Sequence, residues 1–217
     1  KQNIYEQQQK RKSELKALQS QINPHFLYNT LDSIIWMAEG KKNEEVVVMT
    51  ASLARLLRQS ISNEEEQVPI GQEVEYARSY LTIQKMRYKD KLEFQIQVDA
   101  QIMRVPIIKL VLQPLIENAI YHGLKYKEGK GLLIVRGYRE GENAVLQIRD
   151  NGAGMDEQTL SHIFEKHKVN YRSNGVGVYN VQKRLQLYYG MDYGITYSSK
   201  QGEGTTASIV IPMNVIP

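Results

Sequence analysis

The stretch "PIIKLVLQPLIENAIYHGL", residues 106–124, decides how the second half of the chain folds. Pro106 is typical of a first helical turn, and the residues after it are strongly apolar on one side, so we predict a helix. At about 100° per residue, its polar residues share one side: Glu117, Asn118, Tyr121 and His122. Its apolar residues share the other: Leu112, Ile116 and Ala119. An Asn amide that faces a cleft can offer its oxygen to Mg²⁺, but a solvated polar face fits the same pattern.

A glycine-rich stretch, "RDNGAGMD" at residues 149–156, follows at the end of a predicted strand. Gly152 and Gly154 would let the backbone turn tightly and approach a flat ligand, while Asp150 could accept a hydrogen bond from an exocyclic amine. A plain glycine-rich turn is the alternative. A Ca²⁺-binding loop is excluded because the acids are too few and no bidentate Glu stands at the required spacing.

A second glycine-rich stretch, "SNGVGVYNVQKRL" at residues 173–185, precedes a predicted helix. Gly175 and Gly177 stand at its start, so free backbone N–H groups and the helix dipole would face any anion placed there. A flexible loop before a helix is the usual explanation of such a pattern. Near the C-terminus, "GEGTT" adds another glycine for close approach and the hydroxyl of Thr205.

The elements around these stretches indicate the fold class. Strands are predicted where apolar and polar residues alternate or form short apolar runs, in "LEFQIQVD", "GLLIVRGY", "AVLQIRD", "GITYSS" and "TTASIVIP". Helices and mostly antiparallel strands in this order indicate an α+β fold, a two-layer α/β sandwich. The acidic run followed by Pro and Gly in "SNEEEQVPIGQEV" predicts a domain boundary, which divides the chain into residues 1–63 and 64–217.

The first part of the chain is predicted to form a helical hairpin. Residues 1–40 have the pattern of one long helix, residues 44–62 that of a second amphipathic helix, and a short polar turn joins them. One hairpin has too little core to stand alone. We therefore expect two copies to pair as a four-helix dimerisation bundle.

"QINPHFLYNT", residues 21–30, places a proline inside the first helix, directly before a histidine. Pro24 removes a backbone donor and costs about 3 kcal/mol in a helix interior, so we expect a bend. His25, Asn29 and Asp32 fall on one side of the helix, so the imidazole is expected to face outward. The alternative is a core histidine satisfied by hydrogen bonds. The predicted apolar stripe lies elsewhere on the helix: Leu27, Leu31, Ile34, Ile35 and Ala38.

Composition excludes several functions. The 217 residues are 41% hydrophobic and 24% charged, as in ordinary globular proteins. They include no cysteine, which rules out a disulfide framework or a thiolate metal site. No apolar run reaches the roughly 18 residues of a membrane span, and no signal-peptide pattern is present. The net charge of +4 is spread among mixed charges, which does not favour nucleic-acid binding.

Taken together and in this order, the three motifs of residues 112–206 resemble the N, G1, G2 and G3 boxes of an ATP-binding domain. Histidine kinases, DNA gyrase, Hsp90 and MutL share that domain, which has a Bergerat-type fold and defines the GHKL superfamily. "QINPHFLYNTLDSI", residues 21–34, resembles the phosphoacceptor box of the LytS/YesM-type sensor histidine kinases. "LQPLIENAIYHG" and "DNGAGM" also fit that branch, and the resemblance covers nearly the whole chain.

The resemblance implies that His25 is the phosphoacceptor and that Glu117 and Asn29 belong to the catalytic set. Asn29 would orient water for dephosphorylation, or else serve only packing. Asp150 would read adenine, and Asn180 and Arg184 would contact a phosphate. The implied cofactors are ATP and Mg²⁺, with the magnesium on Asn118. The residues implied at the nucleotide are Asn118, His122, Asp150, Gly152, Gly154, Gly175, Gly177, Asn180 and Thr205.

The implied activity is autophosphorylation of His25 by MgATP, followed by phosphotransfer to an Asp of a response regulator. The implied assembly is a homodimer that forms the cytoplasmic part of a membrane sensor, attached to the membrane only through segments absent from this chain. Two residues depart from the common pattern. Phe26 stands where many histidine kinases carry an acid, and Tyr121 where many relatives carry a phosphate-binding Lys.

Two other classes of function stay open. One is an ATPase clamp of the gyrase or Hsp90 kind, which needs a Glu one turn before the magnesium Asn, where this chain has Pro114. The other is a nucleotide-binding dimeric scaffold without kinase activity.

Overall fold

The computed structural model describes residues 24–61, 66–125, 127–164 and 175–213. Residues 1–23 of the helix predicted over residues 1–40, and the predicted bend before His25, lie outside them. The helices, in chain order, are α1 (Pro24–Glu39), α2 (Asn43–Ile61), α3 (Ile70–Tyr88), α4 (Leu112–Asn118), α5 (Glu157–Ser161) and α6 (Gly175–Tyr189). The strands are β1 (Gln67–Pro69), β2 (Leu92–Val98), β3 (Pro106–Ile108), β4 (Gly131–Glu140), β5 (Asn143–Asp150), β6 (Gly194–Lys200) and β7 (Gly204–Pro212).

Helices α1 and α2 form the predicted hairpin. The chain turns at residues 40–42, where the N–H of Gly40 donates to the carbonyl of Trp36 at 3.1 Å and the N–H of Lys42 donates to that of Met37 at 2.9 Å. Glu44 and Glu45 then occupy the first turn of α2, where acidic side chains stabilise the positive end of a helix dipole.

Helix α1 buries residues beside the predicted apolar stripe as well as part of the stripe itself. Phe26, Thr30 and Met37 are buried, whereas Leu31 and Ile35 of the predicted stripe are 43% and 57% exposed. Leu27 and Ile34 of the stripe are half-buried against the core, so the predicted stripe is divided between the core and the exposed surface. The reason is that α3 packs against the side that carries Phe26, a partner that helical periodicity alone does not reveal.

Helix α3 joins the hairpin to the sheet. It packs against α2 on one side and against α4 and β2 on the other, so most of its length is buried. Its buried residues include Tyr76, Ala77, Tyr80, Leu81 and Ile83. Because α3 contacts both parts of the molecule, the predicted boundary between residues 63 and 64 stays a prediction.

The main sheet has five strands in the order β2-β4-β5-β7-β6. Strands β2 and β4 run parallel, and the other neighbours are antiparallel. The pairing places Val135, Ile148 and Ala207 side by side on the face that α3, α4 and α6 cover. One residue away, Arg136 and Gln147 lie on the opposite, polar face. This alternation is that of a sheet with one covered face, and it confirms the two-layer α+β sandwich.

The prediction of a helix that opens at Pro106 is wrong. Residues 106–108 form strand β3, which pairs antiparallel with β1, and the helix begins only at Leu112. A proline is equally compatible with the first position of a strand, so the pattern was ambiguous. Between strand and helix, Leu110 adopts a φ of 60°, which turns the chain sharply.

A buried carboxylate holds the start of helix α4. Glu73 of α3, 3% exposed, accepts the backbone N–H groups of Leu110 at 2.7 Å, Val111 at 3.0 Å and Leu112 at 3.3 Å. Burial raises the pKa of Glu73, and the three N–H donors and Arg184 partly oppose that rise. The carboxylate therefore satisfies donors that a helix start would otherwise leave unpaired.

We expect Glu73→Gln to lower the free energy of unfolding by about 1.5–3 kcal/mol, because the amide keeps one acceptor oxygen and turns an NH₂ group toward N–H donors. Urea denaturation would measure the loss. The matched control is Glu75→Gln on the same helix, where an exposed ion pair with Arg78 is worth about 1 kcal/mol or less. Equal losses in both variants would contradict the assigned role.

Candidate nucleotide-binding site

A pocket that opens to solvent lies between helix α4 with its continuation and the covered face of strands β5, β6 and β7, with a cavity volume of about 40 Å³. Five of the residues predicted at the nucleotide line it: Asn118, His122, Asp150, Gly154 and Thr205. These residues come from three separated stretches of sequence. The fold thus brings together most of the predicted nucleotide set.

The polar side chains predicted to share one face of residues 117–122 point in two directions, some into the pocket and Glu117 toward helix α3. After Asn118 the helix widens into a π-helical turn, Ala119–Leu124, a feature often found at functional sites. Asn118 and His122 face the pocket, and Ala119, predicted on the opposite side, lines it too. Burial lowers the pKa of His122, and Lys125 adds to that effect, so the imidazole is neutral near pH 7.

Asp150 ends strand β5 at the buried end of the pocket and is 3% exposed. Its Oδ1 accepts the N–H of Gly152 at 2.8 Å, and the carboxylate also accepts the N–H of Thr205. Burial raises the pKa of Asp150, while these donors and Lys127 partly oppose the rise. A carboxylate has about four acceptor positions, so Asp150 has capacity for a further donor from a ligand.

Two glycines allow the backbone to approach this carboxylate. A Cβ on Gly152 would lie 2.1 Å from the carbonyl oxygen of Gly123, and one on Gly123 would lie 2.6 Å from Oδ1 of Asp150. Neither position has room for a side chain. Gly152, predicted at the base, does not line the pocket, but its N–H fixes the carboxylate that does.

Thr205 reaches the pocket from strand β7. Its Oγ1 lies 2.8 Å from Oγ of Ser199, which in turn accepts the N–H of Met155 at 2.8 Å. Tyr197 lies beside them, and burial raises the pKa of its hydroxyl well above the usual range, an effect that the neighbouring Asn118 partly offsets. These contacts tie the strand pair β6–β7 to the loop after Gly154.

Residues of helix α6 lie beside the pocket rather than in its wall. Gly177 packs close to Pro114, since an added Cβ would lie 3.3 Å from the Cβ of that proline. Asn180 is half-buried and does not line the pocket. Arg184 is 3% exposed and donates to the carbonyl of Lys109 near Glu73, so the prediction that it contacts a phosphate is wrong. Its guanidinium instead joins α6 to the start of α4.

His25 lies outside the pocket, on the exposed surface of α1. Asn29, one turn later, places its Nδ2 2.9 Å from Nδ1 of His25 and 3.3 Å from Nε2. The two side chains therefore share a face of the helix. Phe26, the next residue, points inward and is buried.

Glu117 faces α3 and does not line the pocket. Its Oε1 accepts a hydrogen bond from Nε2 of Gln113 at 2.8 Å, and the carboxylate also accepts one from Tyr80 of α3. Burial raises the pKa of Glu117, and the hydrogen bonds from these two donors partly oppose that rise. Its place among the catalytic residues stays a prediction.

Sequence reasoning missed several pocket residues, including Gly123 and Tyr197. The glycine directly after His122 could have indicated its place in the pocket, because a residue without a side chain allows close approach to a neighbouring strand. Tyr197 carried no such signal. It reaches the pocket only because β6 pairs with β7 at the sheet edge.

We expect Gly123→Ala to weaken nucleotide binding at least tenfold, because the new methyl group must displace the Asp150 carboxylate by several tenths of an ångström. Calorimetric titration with ATP would measure the change. Gly40→Ala is the matched control, since its added Cβ would have only ordinary contacts, from 3.4 Å outward. Unchanged affinity in Gly123→Ala would contradict the assigned pocket.

Comparison with known proteins gives two family matches. A family model described as "Histidine kinase" matches residues 13–92, and one described as "Histidine kinase-, DNA gyrase B-, and HSP90-like ATPase" matches residues 104–215. The sensor histidine kinase YesM of Bacillus subtilis (strain 168) is 37% identical over 202 residues, which are 93% of this chain and 34% of YesM. The sensor protein LytS of Oceanobacillus iheyensis is 30% identical over 206 residues, with 93% and 35% covered. The chain thus spans about a third of these relatives.

Solved structures share the fold of the second part of the chain. The catalytic domain of the histidine kinase ThkA has a TM-score of 0.53 at 15% identity, covering 69% of this chain and 96% of that one. The mycobacterial sensor histidine kinase MprB has a TM-score of 0.51 at 21% identity, covering 68% and 97%. At these identities the likeness shows the fold alone. The family-model and sequence matches show more: the chain belongs to the histidine kinase-, DNA gyrase B- and HSP90-like ATPases, on the LytS/YesM-type sensor histidine kinase branch.

Proposed function

We propose that this chain is the catalytic region of a sensor histidine kinase, which binds ATP in the pocket and phosphorylates His25. The observation that carries the proposal is the Asp150 carboxylate, buried and held by two backbone N–H groups at the closed end of a pocket. Such a group selects a ligand with an amino group. The adenine N6 amine fits, and the apolar surface of Ile148 and Ala207 fits the flat base.

Asn118 is the proposed magnesium ligand. It lines the pocket beside His122, and its amide oxygen is a neutral, hard donor of the type that Mg²⁺ accepts when phosphates supply most of its ligands. Within the described parts of the chain, no group of three or more His, Cys, Asp or Glu side chains could hold a metal ion by itself. When bound, Mg²⁺ would neutralise charge on the phosphates.

The proposed reaction joins a nitrogen of His25 to the γ-phosphorus of ATP. The N–P bond forms as the bond from that phosphorus to the bridging oxygen breaks, and ADP leaves. Little covalent chemistry falls to the protein, so catalysis consists mainly of positioning and charge neutralisation. Asn29, within 2.9 Å of the imidazole, would orient the ring.

The phosphoryl group would then pass to an Asp of a response regulator. We further propose a homodimer through the exposed apolar side chains of α1, among them Tyr28, Ile35 and Trp36, which are 67%, 57% and 54% exposed.

No helix in the described part of the chain has the length and hydropathy to cross a membrane. Attachment to a membrane sensor would come from the rest of a longer protein, with this region on the cytoplasmic side.

An ATPase clamp of the gyrase kind is the second candidate. The residue one turn before Asn118 is Pro114, which packs near Gly177 and has no group that could activate water. This observation favours the kinase. A silent scaffold would have the same pocket and differ only in leaving His25 unphosphorylated.

Incubation with ATP labelled at the γ-phosphate tests the proposal. A kinase gives protein-bound label that is stable in base and labile in acid, as a phosphoramidate requires. A clamp gives free phosphate without labelled protein. A scaffold gives neither product while still binding ATP.

A further inference from the structure

One buried tyrosine, Tyr80, contacts the residue next to the proposed phosphoacceptor and the residue next to the proposed magnesium ligand. Phe26 directly follows His25, and Glu117 directly precedes Asn118. Tyr80 of helix α3 lies between Phe26 and Glu117 and contacts both. It therefore connects the helix of the phosphoacceptor with the helix of the magnesium ligand, although it lines neither site.

The contact on the hairpin side is a ring stack. The centroids of Phe26 and Tyr80 are 4.9 Å apart with planes at 28°, and the two side chains are 5% and 0% exposed. Stacked aromatic pairs of this kind add about 0.5–1.5 kcal/mol beyond their buried area. The stack explains why position 26 carries a phenylalanine and not an acid, because a carboxylate there would be buried against a ring.

The contact on the nucleotide side is polar. The Tyr80 hydroxyl accepts a hydrogen bond from Nε2 of Gln84 at 2.7 Å, and it also interacts with the Glu117 carboxylate and with Tyr121, the residue one turn after Glu117 on the same helical segment. Burial and the nearby Glu117 carboxylate raise the pKa of Tyr80 well above its usual range, so the hydroxyl keeps its proton as a donor. A second donor, Gln113, holds Glu117 from the other side.

Resting on the proposed kinase function, we propose that Tyr80 is a positioning residue for phosphoryl transfer, which couples the orientation of α1 to that of α4. Consecutive Cα atoms are 3.8 Å apart, so fixing Phe26 and Glu117 also fixes their neighbours His25 and Asn118 closely. Phosphoryl transfer tolerates little displacement, since about 1 Å of misplacement can cost roughly a hundredfold in rate. A single side chain that orients both helices therefore influences the rate without touching ATP.

Two conservative variants separate the two contacts. Tyr80→Phe keeps the ring stack and removes the hydroxyl, while Phe26→Leu keeps an apolar side chain and removes the stack. We expect each to lower the rate constant for His25 labelling at saturating ATP by about tenfold, with the KM for ATP unchanged. The double variant should be no slower than the slower single variant, because both changes interrupt one connection. Thr82→Val is the matched control, since it removes a hydroxyl from the exposed side of the same helix.

Four results would overturn the inference: unchanged rates in both variants, faster labelling, a raised KM for ATP, or losses that multiply in the double variant. A raised KM would mean that Tyr80 only supports the nucleotide pocket. Faster labelling would mean that the stack holds His25 away from ATP.

The lone tryptophan gives a readout that does not depend on phosphorylation. Trp36 of α1 has Nζ of Lys89, at the end of α3, 4.9 Å from its ring centroid, so a movement of α1 against α3 changes its surroundings. We expect Mg²⁺ with the non-hydrolysable analogue AMP-PNP to shift Trp36 emission in the unmodified chain and in Thr82→Val but not in Tyr80→Phe. An equal shift in Tyr80→Phe, or none in the unmodified chain, overturns the coupling. If the unmodified chain is not labelled by ATP, the proposed kinase function fails, and this fluorescence measurement still decides the coupling.

Discussion

His25→Gln is expected to abolish acid-labile labelling by ATP while nucleotide affinity and dimerisation stay unchanged. Gln is similar to the imidazole in size and polarity but cannot form the phosphoramidate. Because His25 lies on the exposed surface of α1 and outside the pocket, its replacement disturbs neither the core nor the nucleotide contacts. Labelling with γ-labelled ATP, calorimetric titration and light scattering measure the three properties.

The other histidines provide the control. His162 lies just after helix α5, and His162→Gln should label normally. Residual acid-labile label in His25→Gln would show that another residue accepts the phosphoryl group. Loss of label in both variants would point to a defect in folding or ATP binding.

Asp150→Asn is expected to weaken ATP binding by roughly ten- to a hundredfold. The change replaces a charged acceptor with an amide, which costs about 1.5–3 kcal/mol for a charge-assisted hydrogen bond. The amide also directs an NH₂ group toward the N–H donors of Gly152 and Thr205, which hold the carboxylate. Calorimetry with ATP gives the affinity, and urea denaturation shows how much stability is lost.

Asp156→Asn is the matched control for this prediction. The Oδ1 of Asp156 accepts the N–H of Thr159 at 2.7 Å at the start of helix α5, and Asn caps a helix about as well as Asp. Its ATP affinity should therefore match that of the unmodified chain. If Asp150→Asn also bound ATP normally, the pocket would have to read a different part of the ligand.

Much of the site could be predicted because its parts are short, contiguous motifs. Asp150 with its glycines, and Asn118 with His122, were identified from the order of residues within a few positions. The strands were predicted for a related reason, since their apolar and polar residues alternate or form short apolar runs as buried strands require. Local sequence patterns were sufficient for these predictions because the residues that act together are also neighbours in the sequence.

Predictions failed where the deciding partner is distant in the sequence. Pro106 pairs in a strand with residue 69, and Arg184 is held inside the protein near Glu73, more than a hundred residues away. The burial of Phe26 was not predicted for the same reason, because Tyr80 of α3 covers it. Periodicity shows that a face is apolar, but it does not show which element will cover it.

The position of strand β2 at one edge of the sheet has a consequence for how copies of the molecule associate. An edge strand leaves unpaired N–H and C=O groups that could pair with a second sheet, and charged side chains discourage such pairing. Glu93 of β2 forms exposed ion pairs with Lys85 at 2.6 Å and with Lys130 at 3.1 Å. Hydrated charges therefore surround the start of this edge strand. Removing water from these three charges would cost free energy and would oppose pairing of this edge with a second sheet. In the proposed homodimer, this edge would therefore not join the sheets of two copies, and the contact between copies would be left to the exposed apolar side chains of α1.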